Sequence, residues 1–218
     1  MDFYTSSVRT TVAGLVLWIA AMVVYLVSVG TRWGQRVDEA AMVAVSGVFG
    51  VDGPTAGVLA GVQIPVLGLK AAVLVGVCAH QRSWQVAVRA MVIVVGGMGA
   101  AMTLKEGLVR PSCGIGALAN SFPSNTVAGF AALGVALILS VPATRRHRVA
   151  APILAIAAVV SLDVVALQWH RPSDVLGAWL LVAAASAFAP VCVSVLSAVA
   201  WGAGRGLRAR PALRRDAV

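Results

Sequence analysis

Three features of this sequence predict an all-α, polytopic membrane fold, a bundle of six transmembrane helices. The 218-residue chain is 60% hydrophobic and 11% charged, with a mean hydropathy of +0.91, too apolar for a soluble domain of that length. Its apolar runs reach the length of about 20 residues that a helix needs to cross a bilayer. Its net charge of +9, almost all from arginine, falls in short loops and near the C-terminal end. That distribution is a topology signal before it is a nucleic-acid signal, so the expected partners are the bilayer and a lipid within it, with no nucleic acid.

The first span covers residues 10–30 and holds Trp18 and Tyr25. It lacks the charged start, short apolar core and small-residue cleavage site of a removable signal peptide, so it is expected to stay in the membrane. Residues 31–54 are a mixed connection carrying Arg32, Arg36, Asp38, Glu39 and Asp52, within which 37–49 reads as a short interfacial helix. The second span covers 56–79 and the third 85–102, with a short turn between them. The fourth runs over 124–142, the fifth over 149–169 and the sixth over 173–200. A basic hairpin of Arg145, Arg146, His147 and Arg148 joins the fourth to the fifth. One membrane domain is expected over residues 1–203, followed by a basic tail over 204–218.

Orientation follows from the arginines at span ends. One set of ends carries Arg9, Arg82, Arg89, Arg145, Arg146, Arg148 and the five arginines after Gly204; the other carries Arg32, Arg36, Lys105, Arg110 and Arg171. The positive-inside rule puts the richer set, with both termini, in the cytoplasm. Three polar islands then share the extracytoplasmic face of the cell membrane.

Other features have structural readings. Gly57 and Gly61, and the Gly96, Gly97, Gly99 cluster, suit close helix packing. Cys78, Cys113 and Cys192 show no C-x-x-C spacing and read as small packing residues rather than a metal or redox site. Lys70 and Asp163 lie inside spans, where an unpaired charge is costly. They could pair across the second and fifth spans, or Asp163 could extend the polar network around His170, seven residues on.

The islands carry the chemistry. The first holds Lys105 and Arg110-Pro111, one compact cation and one planar fork, the usual grip on a phosphoryl group. The second contains Pro123 followed by Ser124, Asn125 and Thr126, which would start a helix whose free N–H groups and dipole favour an anion. The third holds His170 with Asp174 four residues later; an imidazole held by a carboxylate can act as base, ligand or nucleophile.

In order and placement these islands resemble the type-2 phosphatidic acid phosphatases, whose three motifs are K-x6-R-P, P-S-G-H and S-R-x5-H-x3-D. Lys105 and Arg110-Pro111 match the first with a gap of four residues, Pro123-Ser124 matches part of the second, and His170 with Asp174 matches the end of the third. The resemblance implies a six-helix bundle with a site at the outer membrane surface. It implies that Lys105, Arg110 and Ser124, with Asn125 and Thr126, hold phosphate. It further implies that His170 forms a phosphohistidine while Asp174 fixes its tautomer, with no metal and no cofactor. Two positions depart from the family pattern: Thr126 stands where the general-acid histidine belongs, and Val164 where the third-motif arginine belongs. Threonine cannot give up a proton near neutral pH, so the expected substrate is a polyprenyl diphosphate rather than a simple phosphomonoester. The other expectation is a non-enzymatic descendant, a lipid-phosphate-binding or scaffold subunit. A small transporter is disfavoured by the lack of inverted repeats.

Overall fold

The computed structural model describes residues 2–49, 54–116 and 119–208, and side chains within 7–49, 61–116 and 119–200. Every regular element among them is helical: α1 (Asp2–Val24, continued by a π-helical turn over Tyr25–Val29), α2 (Arg32–Phe49), α3 (Pro54–Gln81), α4 (Trp84–Gly107), α5 (Asn125–Ser140), α6 (Ala143–Ala166) and α7 (Pro172–Arg208). Five of them, α1, α3, α4, α6 and α7, are long and apolar enough to cross a membrane. The described residues thus form an all-helical protein whose several apolar helices are compatible with a multi-pass membrane protein. α5 is apolar but shorter, at 16 residues.

The helix ends have local causes. Ser83 caps α4 by accepting from the Val86 N–H, and Ser124 caps α5 by accepting from the Val127 N–H at 3.3 Å. Pro142 stands before α6 and Pro172 opens α7, where a missing N–H costs nothing. Only residues 82–83 and 141–142 separate α3 from α4 and α5 from α6, so each pair runs antiparallel.

α5 is the hub. Val127, Phe130, Ala131, Ala132 and Ala136 are all buried, because α3, α4, α6 and α7 surround it. Small residues bring neighbours close. A Cβ on Gly97 would meet Val182 Cγ2 at 3.0 Å, which fits the close-packing role expected of that cluster, while Gly99 faces open space. The outward faces of α1, α3 and α4 carry exposed residues such as Leu15, Ile19, Leu69 and Met91, as a lipid-facing surface requires.

Lys70 and Asp163 do not pair with each other. The Lys70 ammonium donates to the Phe130 carbonyl at 3.3 Å and lies 5.0 Å from that ring's centroid. Asp163 accepts from Gln63 Nε2 at 2.7 Å. Each span buries one charge and satisfies it with neutral dipoles of a neighbouring helix, so the expected ion pair is replaced by two separate contacts.

The helix expected to lie along the interface is longer than the weak apolar period over 37–49 suggests. It begins at Arg32, where the Thr31 hydroxyl accepts from the Gly34 N–H, and it buries Gln35, Asp38 and Met42 while exposing Trp33, Val37, Val43 and Val48. Residues 204–208, expected in the basic tail, continue α7; positions 209–218 lie outside the described residues.

Candidate functional site

The third island is built by the turn between α6 and α7. The Trp169 and His170 N–H groups both donate to the Val164 carbonyl, at 3.0 and 3.1 Å, which folds the chain back and presents the imidazole. Asp174 lies in the first turn of α7 and is wholly buried. Its Oδ2 accepts from the Arg171 N–H at 2.9 Å and lies 3.4 Å from His170 Nδ1, a long contact that orients the ring. The proton is thereby favoured on Nδ1. With the proton on Nδ1, Nε2 carries the ring's lone pair, and it has no hydrogen bond among the described residues.

Asn120 organises the second island. Its Nδ2 shares two hydrogens among the carbonyls of Lys105, Leu108 and Phe122, at 3.2, 3.0 and 3.1 Å, while its Oδ1 accepts from the Phe122 N–H. The Phe122–Pro123 peptide is cis. The Phe122 ring is buried, 5.5 Å from the Tyr25 ring, and packs on Gly177, where any Cβ would collide with it. The Ser124 N–H donates to the Asp174 carbonyl at 3.1 Å, so the starts of α5 and α7 lie side by side. That N–H is therefore committed to structure, and the Ser124 oxygen is committed as a cap. What Ser124 can still offer an anion is its hydroxyl hydrogen. The Asn125 and Thr126 N–H groups precede the first intrahelical bond of α5 and have no acceptor among the described residues. The Asn125 Oδ1 is buried without a partner among the described residues.

In the first island, Lys105 lies in the last turn of α4 and its Nζ donates to the Ser121 carbonyl at 3.4 Å. Arg110 is buried, and neither of its terminal nitrogens has a hydrogen-bond partner among the described residues. Burial, and next the charge of Arg171, lower its pKa from the usual value, against the pull of Asp174, Asp38 and Glu39. An uncompensated buried guanidinium costs several kcal/mol, and the planar fork matches two oxygens of a phosphoryl group.

Sequence reasoning missed the groups that fasten this site. Arg171 is buried, with Nε on Glu39 Oε2 at 2.8 Å and one terminal nitrogen on Ser121 Oγ at 3.2 Å. Gly116, at φ +60°, leans against this ion pair so closely that a side chain would strike both partners. Asp38 takes the Ser173 N–H at 2.9 Å and the Ser173 hydroxyl at 2.5 Å. The Tyr25 hydroxyl donates to the Val109 carbonyl at 2.5 Å, and Gln35 Nε2 donates to the Pro111 carbonyl at 2.9 Å. One signal was available: with only 8 acidic residues in the chain, the adjacent Asp38 and Glu39 stand out.

His170, Asp174 and Ser124 are thus joined directly, Lys105 through Ser121, and Lys105 and Arg110 both lie within electrostatic reach of Asp174. Asp163 instead bonds Gln63 on α3. No group of three or more His, Cys, Asp or Glu side chains among the described residues could hold a metal ion. Comparison with protein-family models, with curated proteins and with solved structures finds no match.

Asp38 yields a pH prediction. Burial raises its pKa above the ordinary 3.8, and the two Ser173 hydrogen bonds only partly oppose this. Between the unfolded and folded pKa the folded state holds the extra proton, so this group's contribution to stability falls as pH rises through that window. Asp38→Asn removes the component. Thermal unfolding in detergent, followed upward from about pH 4, should show the variant's midpoint gaining on wild type as pH rises. A difference independent of pH contradicts the assignment.

Proposed function

We propose that this chain is an integral-membrane lipid phosphatase or phosphotransferase of the type-2 phosphatidic acid phosphatase kind. It acts at the extracytoplasmic face of the cell membrane on a lipid (di)phosphate, foremost a polyprenyl diphosphate. The observation that carries the reading is the buried Arg110 fork without a partner. It belongs to the same cluster as the His170–Asp174 pair and the open start of α5.

In this reading α5 is a sixth crossing and both termini are cytoplasmic. At 1.5 Å per residue α5 is about 24 Å long, short of the about 30 Å hydrocarbon core. Its start then sits slightly inside the outer leaflet, at the depth of a lipid phosphate. Arg110, Lys105, the Ser124 hydroxyl and the Asn125 and Thr126 N–H groups neutralise the phosphoryl oxygens. The His170 Nε2 lone pair forms a bond to phosphorus while the bond to the leaving oxygen breaks, and that oxygen takes the electron pair. Asp174 stabilises the resulting imidazolium. Water then attacks the phosphohistidine, releasing inorganic phosphate and restoring the neutral ring.

Substrate preference follows from what stands near the leaving group. An alkoxide needs a proton in the transition state, and a general acid supplies about 10²–10⁴-fold. Thr126 has no proton to give at neutral pH. A lipid monophosphate leaving from a diphosphate is already a stable anion and needs none. A second reading, a lipid-phosphate-binding or scaffold subunit without turnover, draws on the same Thr126 and on Val164, whose side chain lies wholly in the core at the position of the family's arginine.

Purified protein should release phosphate from a polyprenyl diphosphate and become phosphorylated on histidine, and His170→Ala should lose both. Equal, negligible release by both proteins with lipid-phosphate binding retained would favour the scaffold. Wild-type release should be faster from polyprenyl diphosphate than from phosphatidic acid; the reverse order contradicts the leaving-group account. Sidedness has its own reporter in Cys113, which lies partly exposed in the loop that carries the second island. In intact cells a membrane-impermeant maleimide should label Cys113 from outside. Labelling only after permeabilisation would put the site on the cytoplasmic face.

A further inference from the structure

The first and third islands share no hydrogen bond among the described residues, yet both are fastened to α2. Gln35, Asp38 and Glu39 stand at i, i+3 and i+4, on one face of that helix. Gln35 Nε2 bridges the Val29 carbonyl, at the end of the π-helical turn, and the Pro111 carbonyl, one residue beyond Arg110, at 2.8 and 2.9 Å. Asp38 holds both the N–H and the hydroxyl of Ser173, and Glu39 holds Arg171, so the first and third residues after His170 are gripped from the same helix.

We propose that α2 is a clamp whose Gln35, Asp38 and Glu39 are positioning residues, setting the spacing between Arg110 and His170 to that of one phosphoryl group. None of the three touches the reacting atoms. The inference deepens the phosphate-site reading and rests on it.

Each residue has a distinct task. Gln35 fixes the backbone next to Arg110, so the guanidinium enters the site from a rigid loop rather than a swinging one. Asp38 takes a first-turn N–H of α7 and the neighbouring hydroxyl together, so the helix start that carries Asp174 cannot rotate without breaking both bonds. Glu39 neutralises Arg171, which leaves Arg110 as the buried guanidinium whose terminal nitrogens await an anion. The opposite face of α2 exposes Trp33, Val37, Val43 and Val48. A helix between two membrane-crossing segments with such a face lies in the membrane surface, at the level where the lipid phosphate arrives.

The test uses the full chain in detergent, with farnesyl diphosphate as substrate and inorganic phosphate as ligand. Asp38→Ala should lower kcat by up to about 100-fold, the scale of a displacement near 1 Å, with KM little changed. Gln35→Ala should chiefly raise KM, because it loosens the phosphate-holding arginine. Asp38→Asn, which still accepts from the Ser173 N–H and can bond its hydroxyl, should restore most of the lost turnover. A merely structural role would lower the fraction of folded protein and leave kcat and KM per folded molecule alone. Active wild type with Asp38→Ala and Gln35→Ala matching its kcat and KM overturns the clamp and leaves the phosphatase reading intact. If wild type releases no phosphate, the enzyme reading fails and the clamp is judged on binding. Inorganic phosphate should then raise the unfolding temperature of wild type and not that of Gln35→Ala, and equal shifts or none in either protein would overturn it.

Discussion

Two helix starts, those of α5 and α7, are held side by side by the bond from the Ser124 N–H to the Asp174 carbonyl, and the rest of the site depends on that placement. Each start carries the positive end of a helix dipole, and the start of α5 adds the Asn125 and Thr126 N–H groups, which have no acceptor among the described residues. Bringing two such ends together is unfavourable without negative charge between or beside them. Asp174 supplies some of it from within α7 and Asp38 supplies more from α2, through the Ser173 N–H. Arg110, Lys105 and Arg171 add three cations to the same region, against the carboxylates of Asp38, Glu39 and Asp174, so the two dipole ends leave it positive. A bound phosphoryl group would complete the balance, which is the physical basis of the proposed ligand.

The two positions at which the sequence differs from the motifs it resembles fit this background. The core side chain of Val164 takes no part in the site, yet its carbonyl anchors the turn that presents His170. The position supplies a backbone acceptor and no charge. Arg171 brings a guanidinium into the region from the residue after His170, but ties it to Glu39 and Ser121. Thr126 begins α5 and offers a backbone donor, not a proton. In the proposed reading such a site would grip an oxyanion better than it protonates a leaving group, so a phosphoanhydride would suit it better than a phosphate ester.

Much of the helical plan was legible because it rests on composition and on length, which any apolar run displays. The islands were legible because polar residues are rare in this chain and charged types rarer still. The contacts that hold the islands together were not. Asn120 gives no sign in sequence that it will gather three carbonyls, and Gln35 and Tyr25 bind the Arg110 loop from 76 and 84 residues away. Lys70 and Asp163 invited an ion pair because the two charges are conspicuous. Gln63 and the Phe130 carbonyl are ordinary groups, and only the placement of α3 beside both α5 and α6 reveals them as partners. Ser124 was expected to hold phosphate, but its N–H turned out to be spent on joining two helices.

The central claim is that Arg110, the start of α5 and His170 share one anion. A structure of the protein with orthovanadate, a phosphoryl mimic, tests it most directly. The account predicts vanadate bonded to His170 Nε2, with its oxygens on both terminal nitrogens of Arg110 and on the Asn125 and Thr126 N–H groups. Vanadate bound elsewhere, or an Arg110 fork that stays unengaged while His170 is occupied, would contradict it.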